Sequence, residues 1–145
     1  MVDEKGFKFW QDWLRGVCIA ILVVGISMAL LVGTGMLPSV SGPFESAIYS
    51  GPLTAEEENF RAWAYGACGA TMAGWGIVLL GLVRGPFAKK EMWAWRSFTA
   101  GLLVWFVIDT GFSINFEVWY NVGVNVAVLI LALLPLAMTY KAFSR

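Results

Sequence analysis

Asp109 is the one acidic residue that lies well inside a long apolar stretch of this 145-residue chain. It stands five residues before the end of its run, residues 94–114. Ionisable side chains at such depth in a membrane are rare and face the protein interior, and they commonly bind a proton, an ion or a polar ligand. Whether Asp109 has a structural or a chemical role therefore depends on which residues can reach it.

Two asparagines follow Asp109 in the next apolar run. Asn121 and Asn125 are four residues apart, so they lie on one face of a helix. Asp109 and Asn121 stand at equal separations from the intervening turn at Asn115, which places them at similar depth. We therefore predict a hydrogen bond between the Asp109 carboxylate and the Asn121 amide, with Asn125 one turn deeper.

Two further residues complete the candidate ligand-binding site. Trp105 lies one helical turn before Asp109 on the same face, and Arg61 lies at the start of another apolar run, from where it could pair with Asp109. Trp105 and Trp75 both fall near the middle of their runs. They either fill the core or form the flat walls of a pocket for a planar ligand.

These residues support two interpretations. In the structural one, Asp109, Asn121, Asn125 and Arg61 form a satisfied network that fixes helix register, with interhelical hydrogen bonds worth ~0.6–2 kcal/mol each. In the functional one, Asp109 lacks a full cationic partner and exchanges a proton or binds a polar ligand. The sequence leaves both open.

Four apolar runs must position these residues. Runs of about 20 apolar residues match the ~30 Å hydrocarbon thickness of a bilayer. The chain is 59% hydrophobic and 14% charged, whereas soluble domains carry about 25% charged residues. We predict an all-α polytopic membrane protein, a single four-helix transmembrane domain covering residues 1–145, with spans at 16–37, 62–83, 94–114 and 118–140 and an outer loop at 38–60.

The basic residues predict the topology. Nine of the ten fall in the N-terminal segment, the link between the second and third spans, and the C-terminal tail. The tenth, Arg61, follows the outer loop. The positive-inside rule then places both termini in the cytoplasm. Thr54 and Glu57 have the spacing of a capping box, so the second helix is expected to begin near Ala55.

Small residues predict how the helices associate. Ala62, Gly66, Ala70 and Gly74 recur every four residues and form a candidate helix-packing stripe. Lipid provides no hydrophobic drive between helices, so close backbone approach through small residues replaces it. The stripe favours a contact within the bundle or an interface between copies. Pro135 is expected to remove the backbone hydrogen bond to Leu131.

Composition argues against several classes of function. The chain has no histidine, which removes the usual haem ligand and the commonest ligand of zinc and copper. Its two cysteines, Cys18 and Cys68, form no CxxC pair. Zero net charge gives a nucleic-acid partner no electrostatic support. We expect no catalytic residues, no metal and no cofactor, and thus no enzyme.

The sequence therefore favours a small protein of the inner (plasma) membrane. It would act as a scaffold, an accessory subunit or a self-associating subunit through helix packing, with the lipid bilayer, a second copy or a larger membrane complex as its partners. The alternative is a small-molecule or proton-linked binding or transport protein, with its site around Asp109 in the outer half of the bundle.

Overall fold

The computed structural model describes residues 3–36, 47–48 and 51–143. All regular structure in these residues is helical, as predicted, and each of the four long helices is long and apolar enough to cross a membrane. Residues 38–46 and 49–50 of the predicted outer loop lie outside the described residues. The helices are α1 (Glu4–Ser27), continued by a π-helical turn (Met28–Val32), α2 (Ala55–Arg84), α3 (Met92–Asn115) and α4 (Trp119–Phe143).

Side chains define the beginnings of α1 and α2. Asp3 accepts a hydrogen bond from the backbone N–H of Gly6 at 2.7 Å. The predicted capping box at Thr54 and Glu57 is confirmed: the Thr54 N–H donates to Glu57 Oε2 at 2.7 Å, and the Glu57 N–H donates to Thr54 Oγ1 at 3.3 Å. Both helices thus begin where a polar side chain satisfies amide groups that have no partner within the helix.

The four helices form a ring in which each one contacts two neighbours. α1 packs closely on α2 and also contacts α4; α4 packs on α3, and α3 touches α2 only slightly. The α2–α3 contact includes Trp75 and Trp105, whose ring centroids are 6.4 Å apart. The bundle is therefore held mainly by the α1–α2 and α3–α4 pairs and by the α1–α4 seam between them.

Aromatic rings close the end of the bundle at which α1 begins. Phe7 of α1, Phe87 of the α2–α3 link and Phe143 of α4 contact one another with centroid separations of 4.7–6.0 Å. All three are at most 5% exposed. Because burying aromatic rings is strongly favourable, this cluster holds three separate segments together at one end.

Glycines bring α1 and α2 into backbone contact. A Cβ atom built on Gly25 would lie 2.5 Å from the backbone nitrogen of Ala73, and one on Gly69 would lie 2.5 Å from that of Ala29. A Cβ on Gly76 would lie 2.8 Å from the backbone nitrogen of Leu22. No side chain larger than hydrogen fits at these three positions without moving a helix.

This contact does not follow the predicted small-residue stripe along its whole length. Ala62 and Gly66 are half-buried, and the Cα atom of Gly66 lies beside Gly33, but Ala70 and Gly74 are exposed. With 3.6 residues per turn, a four-residue repeat rotates about 40° per step around the helix. The stripe therefore leaves the α1 contact after Gly66, and the interface continues through Gly69, Ala73 and Gly76.

Pro135 lies inside α4 and is fully buried. Because proline lacks an N–H group, it leaves the carbonyl of Leu131 without its usual partner in the helix. The indole Nε1 of Trp13 in α1 donates a hydrogen bond to this carbonyl at 3.0 Å. On the other side of α4, Nε1 of Trp95 donates to the carbonyl of Leu136 at 2.8 Å. The proline thus creates an acceptor through which α1 is attached to α4.

Gly69→Ala is expected to lower the free energy of unfolding by about 1–3 kcal/mol, because the added methyl group collides with backbone rather than with a movable side chain. Gly74→Ala, on the same helix but in open space, should change it by less than about 1 kcal/mol. Unfolding with sodium dodecyl sulfate in mixed micelles, followed by tryptophan fluorescence, measures both. Equal effects of the two substitutions would contradict the assigned contact.

Trp13→Phe should cost about 0.5–1.5 kcal/mol of unfolding free energy by removing the donor to Leu131. The same substitution in a Pro135→Ala background should cost markedly less, because a backbone N–H then satisfies that carbonyl. A double-mutant cycle in the same unfolding assay isolates this coupling. Additive effects would show that the indole contributes only its packing.

Candidate functional site

The candidate site lies between α3 and α4, near the turn that joins them. The Nδ2 group of Asn121 donates a hydrogen bond to Oδ1 of Asp109 at 2.8 Å. The predicted pairing of these two side chains is therefore confirmed. Both residues are half-buried, so the pair lies inside the α3–α4 contact but is not fully enclosed by it.

Ser113 joins the pair and was missed in the sequence analysis. Its hydroxyl donates to the backbone carbonyl of Asp109 at 2.7 Å and accepts from Nδ2 of Asn121 at 2.8 Å. A longer contact of 3.4 Å joins Ser113 Oγ to Asp109 Oδ1. Both hydrogens of the Asn121 amide are thus used, one on each α3 residue. The four-residue spacing of Asp109 and Ser113 was the signal available in the sequence.

A second polar contact lies beside the first, with its α4 residue one turn further along that helix and its α3 residue directly after Asp109. Nδ2 of Asn125 donates to Oγ1 of Thr110 at 3.2 Å, and these residues are only 2% and 9% exposed. Thr110 is rotated by about 100° from Asp109 around α3, so Asn125 meets the Thr110 hydroxyl rather than the Asp109 carboxylate. Together the two contacts define the α3–α4 register.

Arg61 is placed differently from the prediction. Its guanidinium forms an ion pair with Glu58 on its own helix, with Nη2 and Oε1 3.7 Å apart. The partners that the structure gives to the Asp109 carboxylate are the Asn121 amide and the Ser113 hydroxyl. The expected Arg61–Asp109 pair is thus not supported, since α2 and α3 contact each other only slightly.

Trp105 also lies apart from the hydrogen-bonded group. It is half-buried, and its ring contacts Trp75 across the α2–α3 seam. A Cβ added to Gly101 would lie 3.8 Å from the Trp75 ring, so this indole packs against α3 at the Gly101 position. The pairing with Trp75 favours the core-filling interpretation of the two midplane tryptophans.

The arrangement can support two kinds of chemistry. As hydrogen-bond partners across a helix pair, the carboxylate, the amides and the hydroxyls hold α3 and α4 in one register. As a carboxylate with one oxygen bonded across the helices, Asp109 retains acceptor capacity on its second oxygen for a proton or a polar group. Among the described residues, no cluster of histidine, cysteine and acidic side chains is suited to hold a metal ion.

Comparison of the chain with protein-family models, with curated proteins and with solved structures finds no match.

Asn121→Leu should lower the free energy of unfolding by about 1–2 kcal/mol, because it removes both interhelical donors at nearly constant volume. Asp109→Asn should have a much smaller effect, since the acceptor oxygen facing Asn121 is retained. Asn115→Ala is the control, because Asn115 is exposed at the end of α3. Micellar unfolding with sodium dodecyl sulfate measures all three. If Asp109→Asn lowered the free energy of unfolding as much as Asn121→Leu does, the negative charge itself would be required.

Proposed function

We propose that this protein is a small integral membrane protein that acts as a scaffold, accessory or self-associating subunit through lateral helix packing. Its site of action is the inner (plasma) membrane, with both termini in the cytoplasm. It is not an enzyme. The observation that carries this proposal is a row of small residues on the side of α2 that faces away from α1.

We call this row the free stripe of α2; it consists of Ala67, Ala70, Gly74 and Gly81, all of them exposed. A Cβ atom added to Gly74 or Gly81 would meet no heavy atom within 4 Å. The free stripe therefore forms a shallow groove along the helix surface, and another helix can approach its backbone closely.

Part of the exposed face of α3 differs from the free stripe. It carries branched and aromatic side chains such as Val104, Val107 and Phe112, which are 59–67% exposed. Side chains of that size suit contact with fluid lipid tails, whereas small residues in membrane helices are enriched where two helices meet. The contrast supports a second protein helix, rather than lipid, as the occupant of the α2 groove.

The proposed topology follows from the charges at one end of the bundle. Lys90 in the α2–α3 link forms an ion pair with Glu4 at 2.7 Å, and Phe143 contacts Phe7. The start of α1, the α2–α3 link and the end of α4 thus share one end, and these are the segments that carry the basic residues. The positive-inside rule supports a cytoplasmic position for this end.

Gly74→Leu tests the proposal, because the new side chain fills the groove without touching the rest of its own bundle. We expect the native chain to form dimers or larger assemblies in liposomes, and the substitution to weaken association about tenfold or more. Val107→Leu on the exposed face of α3 is the matched control and should leave association unchanged. Subunit counting by single-molecule photobleaching at several protein-to-lipid ratios measures the effect.

The self-association in this proposal is refuted if the native chain remains monomeric at all these ratios. The proposal also fails if Gly74→Leu and Val107→Leu weaken association equally. Circular dichroism and the unfolding assay described above establish that each variant retains the native bundle.

A further inference from the structure

A basic cleft lies at the end of the bundle where α1 begins. It has a volume of about 560 Å³ and is open on one side. α1 lines it with residues spaced three and four apart, and the link between α2 and α3 forms the opposite wall. Its lining includes five basic residues, Lys5, Lys8, Arg15, Lys89 and Lys90, against one acidic residue, Glu4.

The acidic side chains around this cleft already have partners. Glu4 pairs with Lys90 at 2.7 Å, and Asp12 pairs with Arg15 at 2.7 Å. Asp3 accepts from the N–H of Gly6 at the start of α1. The carboxylate of Glu91 accepts from the indole of Trp93 at 2.6 Å.

Three cations in the cleft form no ion pair within the described residues. These cations are Lys5, Lys8 and Lys89. Two of them are on α1 and one is on the opposite wall, so they surround the opening of the cleft from both sides. Grouped cations of this kind favour an anionic group between them.

The depth of the cleft indicates where that anion comes from. Phe9, Trp10 and Trp13 form a cluster of aromatic rings at the same end of α1, with centroids 4.9–6.2 Å apart. Phe9 and Trp13 are 56% and 38% exposed. Exposed aromatic rings of membrane proteins concentrate at the level of the lipid headgroups, so the cleft lies at the depth of the lipid phosphates.

We propose that this cleft binds the phosphate of an anionic phospholipid. The proposal rests on the membrane insertion argued above, and it assigns the site to the headgroup, with the acyl chains lying along the apolar surface of the bundle. Gln11 also lines the cleft, where its Nε2 group uses one hydrogen on the carbonyl of Val83 at 2.9 Å. The charge that attracts the headgroup comes from the lysines, as is common where basic residues adjoin membrane-spanning helices.

The test uses the full-length protein reconstituted in nanodiscs of phosphatidylcholine and phosphatidylglycerol, and measures the lipids that remain bound by native mass spectrometry. We expect preferential retention of phosphatidylglycerol. Lys8→Gln combined with Lys89→Gln should weaken this retention about 20-fold, because each lysine near an anionic headgroup contributes several-fold in affinity. The charge-matched control is Arg96→Gln combined with Lys141→Gln, since both residues are exposed on other helices and neither lines the cleft.

Loss of phosphatidylglycerol in the cleft variant and its retention in the control variant would support the proposal. Equal retention of the two lipids, or equal loss in both variants, would overturn it. Displacement of the bound lipid by millimolar inorganic phosphate would also overturn it, by showing a site for free phosphate. The same spectra report the oligomeric state separately. A monomer that retains phosphatidylglycerol preferentially would refute only self-association. An oligomer that shows no preference for phosphatidylglycerol would refute only the lipid site.

Discussion

The backbone contact between α1 and α2 is the constraint on which the rest of the bundle depends. In a lipid environment, apolar side chains gain little by leaving lipid for protein, so helices must associate through close packing and hydrogen bonds. Gly25 and Gly69 allow that approach because neither carries an atom where the opposite backbone passes. Once α1 is held against α2, its other side is available to α4, and α4 in turn holds α3.

Polar groups make the remaining connections between helices, and three of them use backbone carbonyls. Gln11 donates to Val83 near the end of α2, where helix carbonyls have no partner within the helix. Trp13 donates to Leu131, whose partner is missing because of Pro135. In an apolar solvent an unpaired carbonyl is costly, so each of these donors stabilises the bundle by satisfying the particular carbonyl that it reaches.

The two ends of the bundle are built from different chemistry. The end with the first turns of α1 contains the aromatic cluster of Phe7, Phe87 and Phe143 together with the basic cleft. Towards the opposite end, α3 and α4 are joined by the contacts of Asp109 and Asn125 with their neighbours. The aromatic cluster fixes how segments that are distant in sequence assemble, while the polar contacts fix the register of the α3–α4 hairpin. This division supports a structural role for Asp109.

The sequence by itself determined the four helices, the capping box at Thr54 and the depth match of Asp109 with Asn121. These follow from run length, from local side-chain chemistry and from equal spacing about a tight turn, all of which depend on short stretches of chain. Only the tertiary structure decided which face of α2 meets α1, that Trp105 pairs with Trp75, and that Trp13 donates to the carbonyl that lacks a helix partner because of Pro135. The physical reason is rotation: a four-residue repeat drifts around a helix of 3.6 residues per turn, so the neighbour of each side chain depends on how the helices are turned against one another.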